Sequence, residues 1–160
     1  MFMAYYKQYG LNVKIARIFN SYGSRLREDG LYGRAVSRFV KQALTNEPIT
    51  IYGDGTQTRS FCYISDTITC LMLLAVNEKS KGEVVNIGSA QETTILQLTK
   101  KIKQLTKSKS KLTYHLLSKD DPKRRCPDTS KIKKLLGWKP KISLEQGLEK
   151  TIKWFAESQT

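Results

Sequence analysis

The sequence predicts a mixed α/β fold folding as one cooperative unit, and three observations lead there. Helical and strand periodicities alternate along the whole chain. The strand signal at 13–19 is largely apolar on both faces, as in sheets covered on two sides. A length of 160 residues is enough for one real core and too short for two ordinary domains.

Residues 1–9 have helical spacing stopped by Gly10. Nothing before Phe2 can cap that helix, so the chain is expected to begin inside an element. LNVKIARIFN (11–20) alternates as a strand, with Val13, Ile15, Arg17 and Phe19 on one face and Lys14, Ala16 and Ile18 on the other. It is expected to be covered on both sides for much of its length. SYGSRLREDGLYG (21–33) reads as a glycine-punctuated loop. Val36, Phe39, Val40, Ala43 and Leu44 then recur at helical spacing. ITIY (49–52), a Gly-Asp-Gly turn and TQTRSFCYI (56–64) are expected to form a hairpin-like pair. Ser65 and Asp66 open a helix whose Ile68, Leu71, Met72 and Ala75 make one apolar stripe. VVNIGS (84–89) is a strand, and Thr94 with Gln97 is a capping box before a helix that turns Ile95, Leu98, Ile102 and Leu105 inward. KLTYHLL (111–117) is a strand, and TSKIKKLLG (129–137) is a short helix stopped by Gly137. Ser143 and Gln146 form a second capping box, before a final helix with Leu144, Leu148, Ile152 and Phe155 inward.

Composition narrows the function classes. No apolar run approaches the eighteen or so residues of a membrane span, the longest being CLMLLAV (70–76), and MFMAYYKQYG lacks the features of a signal peptide. Cys62, Cys70 and Cys126 lack Cys-x-x-Cys spacing and His115 is the only histidine, so neither a zinc site nor a disulfide framework is expected. Buried free thiols suit a reducing cytoplasm, the expected location. The net charge of +14 admits a basic module that binds nucleic acid or acidic partners. Yet Lys100, Lys101, Lys103, Lys107, Lys109 and Lys111 fall on helix faces and a KSKSK stretch, which reads as solvated surface. An anionic small ligand needs only a few arginines.

Arg59 is the residue that does not fit its surroundings. An unpaired buried guanidinium is costly, so an arginine among strand residues either reaches solvent or meets a fixed anion. The first makes it a surface cross-strand residue. The second makes it a phosphate ligand, since the planar fork of arginine matches phosphate oxygens.

Six motifs occur in order: RIFNSYG (17–23), DGLYGRAVSRF (29–39), IYGDGTQTRSFCYISD (51–66), NIG (86–88), DDPKRRCPD (120–128) and LGWKPKISLEQGL (136–148). Together they resemble the C-terminal half of the extended short-chain dehydrogenases/reductases that act on nucleotide-sugars. Within that family they look most like UDP-glucuronate decarboxylases, with dTDP-glucose 4,6-dehydratases and UDP-glucose 4-epimerases as relatives. The resemblance implies a Rossmann-type fold in which residues 1–23 and 84–88 belong to a larger sheet, a UDP-sugar or dTDP-sugar substrate, NAD as cofactor, and a homodimer. It implies that Asn20 lies near the substrate diphosphate, that Val36, Ser37, Arg38, Phe39 and Val40 belong to a helix closing over the nucleotide, and that Ile51, Tyr52 and Gly53 accept the base. Arg59 and Arg125 would clamp the diphosphate, while Ser21 and Arg34 would lie beside NAD. In the family, oxidation at sugar C4 precedes decarboxylation, dehydration or epimerisation. Ser24 stands where the family usually has proline, and the loop before Arg34 is longer than in the decarboxylases. No glycine-rich NAD turn and no Tyr-x-x-x-Lys pair occur in the sequence, and both are expected upstream of Met1.

Overall fold

The computed structural model describes residues 1–26, 35–117 and 121–158. In chain order the elements are α1 (Phe2–Tyr9), β1 (Ile15–Ile18), β2 (Ser21–Tyr22), α2 (Ala35–Leu44), β3 (Ile49–Tyr52), β4 (Thr58–Ser60), β5 (Cys62–Tyr63), α3 (Ile64–Val76), β6 (Val84–Ile87), β7 (Glu92–Thr94), α4 (Ile95–Thr106), β8 (Leu112–His115), β9 (Arg124–Arg125), α5 (Ser130–Leu136) and α6 (Leu144–Ser158). The fold is mixed α/β with mainly parallel strand pairs, as the alternating periodicities predict.

The glycine stops and the two capping boxes act where the sequence places them, whereas Ser65 and Asp66 do not open α3: it starts at Ile64 without a side-chain cap, and the Asp66 carboxylate accepts instead from the Lys141 and Ile142 N–H groups. Gly10 and Gly137 end α1 and α5 in the left-handed conformation that glycine adopts without strain. Thr94 Oγ1 accepts from the Gln97 backbone N–H while Gln97 Oε1 accepts from the Thr94 N–H, which caps α4 reciprocally. Ser143 and Gln146 exchange the same two bonds ahead of α6.

Two apolar clusters form the interior. In one, Val36, Phe39 and Val40 of α2 meet Ile49 and Ile51 of β3, Leu98 and Ile102 of α4, and Leu148 and Phe155 of α6. The other joins Cys70 and Leu74 of α3 to Val85 and Ile87 of β6, together with Ile132 and Trp138. Among the described residues no helix is long and apolar enough to cross a membrane.

Three further expectations are corrected. First, β3 and β4 do not form a hairpin: β3 pairs in parallel with β8, and β4 lies between antiparallel β7 and parallel β9. Gly53 (φ +70°) and Gly55 (φ +78°) bend the chain away while Asp54 accepts from the Thr56 N–H and hydroxyl, so the turn redirects β4 instead of folding it back. Second, the buried residues of α3 are Asp66, Thr67, Cys70 and Leu74, whereas Ile68 and Met72 are 48% and 65% exposed. A helix apolar on nearly every side carries no periodicity that names its inner face. Third, β1 is not covered on both sides within the described residues. It pairs only with β6, and Ile18 is 49% exposed.

Candidate anion site

The sheet β7–β4–β9 sorts its side chains by register. Arg59 pairs with Thr93 on one side and Arg125 on the other, so these three share a face. Thr58 pairs with Thr94 and Arg124, and Ser60 with Glu92, which puts that set on the opposite face. The adjacent arginines of β9 therefore have different partners available. Arg124 binds Glu92 through Nε (3.0 Å to each carboxylate oxygen) and Nη2 (2.6 Å), and the Thr58 hydroxyl donates to the same carboxylate at 2.8 Å. The Arg124 bond is the main reason the Glu92 carboxyl is held down at about 2. Arg125 is exposed, with no hydrogen-bond or ion-pair partner among the described residues.

Arg59 is only 8% exposed. Its Nη1 donates to the Thr58 carbonyl at 2.8 Å and its Nη2 to Asp121 Oδ1 at 2.5 Å. So the intramolecular anion beside it is Asp121, a residue that sequence reasoning missed because it lies sixty-two positions away.

Two other candidate residues carry buried donors with no partner among the described residues, Asn20 Nδ2 and Arg38 Nε, and the buried Ser60 Oγ is likewise unpaired there. An unsatisfied buried donor costs about 1–3 kcal/mol, and such atoms gather where a ligand supplies the missing acceptor. Asn20 also has φ +41°, uncommon for a residue with a side chain, and its carbonyl accepts from the Cys62 N–H at 3.2 Å. That contact places it beside β5, which directly follows β4.

Arg38 and Tyr52 form a second group. The Arg38 guanidinium lies 5.0 Å from the Tyr52 ring centre and 5.4 Å from that of Phe39, and it reaches the Thr50 carbonyl at 3.5 Å. Burial pulls its pKa down. Tyr52 is 43% exposed and its ring centre lies 5.8 Å from that of His115 on β8, a neighbour the sequence reading assigned no role. Around it the backbone is engaged: the Gly53 N–H donates to the His115 carbonyl at 2.8 Å and the Tyr52 carbonyl accepts from Gln57 Nε2 at 2.6 Å.

The remaining positions are less available. The side chains of Val36, Phe39, Val40 and Ile51 are core, and Ser37 is fully buried. Ser21 is buried with its hydroxyl 3.0 Å from that of Thr67, and Arg34 lies outside the described residues. With Ser21 engaged by Thr67, the described residues do not by themselves fit a dinucleotide.

The parallel α/β framework is that of the nucleotide-sugar epimerases and dehydratases of the short-chain dehydrogenase/reductase type. The family described as GDP-mannose 4,6 dehydratase matches residues 1–151, and the chain belongs to it. Over 156 residues it is 46% identical to UDP-glucuronic acid decarboxylase 1 of Danio rerio, covering 98% of this chain and 36% of that protein. It superposes with a TM-score of 0.93 on the UDP-glucose 4-epimerase of Thermotoga maritima crystallised with UDP-glucose, at 34% identity over 98% of this chain and 50% of that one. With UDP-glucuronic acid 4-epimerase of Bacillus cereus, in complex with UDP-glucuronic acid and NAD, the TM-score is 0.89 and the identity 33%, over 97% and 48% of the two chains. The chain thus spans about a third of the length of the curated relative and half that of the solved structures.

Proposed function

We propose that this chain is the substrate-binding portion of an NAD-dependent nucleotide-sugar enzyme, most like UDP-glucuronate decarboxylase, and that it holds a UDP-sugar through its diphosphate. The register pairing of Arg59 with Arg125 is the observation that carries the proposal. Two guanidinium groups on one face match the two to three negative charges that a diphosphate carries, and arginine's fork suits phosphate oxygens. Asn20 is a further ligand by virtue of its unpaired amide, and Arg38 with Tyr52 offers a flat cationic and aromatic surface to the base. The residues of this chain bind and orient the nucleotide end of the substrate. A reducing compartment such as the cytoplasm suits the three cysteines, all free.

Calorimetric titration of the 160-residue chain with UDP tests the proposal. Arg59→Ala and Arg125→Ala are each expected to weaken binding by about tenfold or more, the worth of a charge-assisted bond to phosphate. UDP affinity unchanged in both variants overturns it.

A further inference from the structure

Among the described residues, Asp121 holds the one buried guanidinium on the face that Arg59 shares with Arg125. We propose that Asp121 is an internal counter-anion that competes with an incoming diphosphate for Arg59 and so sets how loosely the site holds its ligand. The inference rests on the reading of Arg59 and Arg125 as the diphosphate clamp.

The two partners of the ion pair are unequally exposed. The Arg59 side chain is 10% accessible and that of Asp121 38%, so the carboxylate stands on the solvent side of the guanidinium, where any second anion must approach. Asp121 also belongs to the segment that carries Arg125 into register: the Thr58 N–H donates to the Lys123 carbonyl at 2.9 Å, and two residues later Arg125 pairs with Arg59. The strand pairing that assembles the clamp therefore delivers its competitor too.

Asp121 is not the only group that orients Arg59. Nη1 is fixed by the Thr58 carbonyl, and β4 is flanked by paired strands on both edges. Losing the negative charge should therefore leave the guanidinium in place. What Asp121 contributes is charge. Arg59, Arg125 and Asp121 together present one net positive charge to a ligand that brings two or three negative ones. A diphosphate must displace the carboxylate from Nη2 or lie beside it, and a like charge within about 4–6 Å commonly shifts such an equilibrium by a factor of ten or more. Glu92, the other carboxylate of this sheet, is excluded from the role because it lies on the opposite face, bound to Arg124 and Thr58.

The test is the affinity of the 160-residue chain for pyrophosphate and for UDP in Asp121→Asn, which keeps an acceptor oxygen for Nη2 and removes only the charge. Roughly tenfold tighter binding of both ligands is expected, with less than twofold change in the control Glu92→Gln. Asp121→Ser is expected to tighten binding as well and serves if the asparagine variant does not melt cooperatively. Affinity unchanged or reduced in the Asp121 variants, while Arg59→Ala still weakens binding by about tenfold or more, overturns this role and leaves the clamp intact. Affinity unchanged in both Arg59→Ala and Arg125→Ala, or no binding by wild type and Asp121 variants alike, overturns both. Binding seen only in the Asp121 variants supports both.

Discussion

Residues 124 and 125 show how a two-residue strand assigns different work to identical side chains. Alternation across the sheet gives Arg124 a carboxylate and leaves Arg125 exposed without a partner among the described residues, although nothing in the dipeptide distinguishes them. The Glu92–Arg124 pair has a pH signature. Glu92 titrates at about 2 in the folded chain against an ordinary value of 4.5. Its depressed folded pKa means that its contribution is complete above about 4.5 and is lost as the pH falls through about 2. The melting temperature of Glu92→Gln is therefore expected to lie below that of wild type at neutral pH, the gap closing between about 4.5 and 2. A gap independent of pH across that window would mean that the carboxylate's charge has no part in it.

At the scale of elements, α3 supplies the sharpest prediction. Leu74 is 3% exposed within the second cluster and Met72 is 65% exposed, two residues away. Leu74→Ala is expected to lower unfolding free energy by about 2–4 kcal/mol in urea titration, and Met72→Ala by less than about 0.5 kcal/mol. Comparable losses would restore the face that the sequence pattern favoured. Legibility in the sequence followed the range of the physics. The capping boxes at Thr94 and Ser143 and the stops at Gly10 and Gly137 are local chemistry, readable within four residues, and the structure forms all four. Periodicity found the inner faces of α2 and α4 because their opposite faces are polar, and failed on α3, which has little polar face to contrast. The hairpin expected around Gly53–Gly55 failed because β3 takes a partner from residues 112–115. Within the candidate site, the six-motif resemblance marked Arg59 and Arg125, but Asp121 and His115 reach their neighbours only through pairings invisible at short range.

For the whole molecule, the two clusters leave apolar surface uncovered. Ile18 on β1 and Ile68, Met72 and Val76 on α3 are all at least 48% exposed, as are Phe2, Tyr5 and Tyr9 on α1. Such surface is unfavourable in water, so the 160-residue chain on its own is expected to self-associate as its concentration rises and to bind a hydrophobic dye. A sedimentation profile independent of concentration, with no dye fluorescence, would contradict this. The topology has a kinetic consequence as well. β1 joins β6 by pairing residue 15 with 84, β3 joins β8 by pairing 49 with 112, and β4 joins β9 by pairing 58 with 124. Each ladder must close a long loop before its first rung forms, including the one that brings Arg125 beside Arg59. High contact order of this kind gives refolding times of about milliseconds to seconds, in place of the microseconds open to helical bundles.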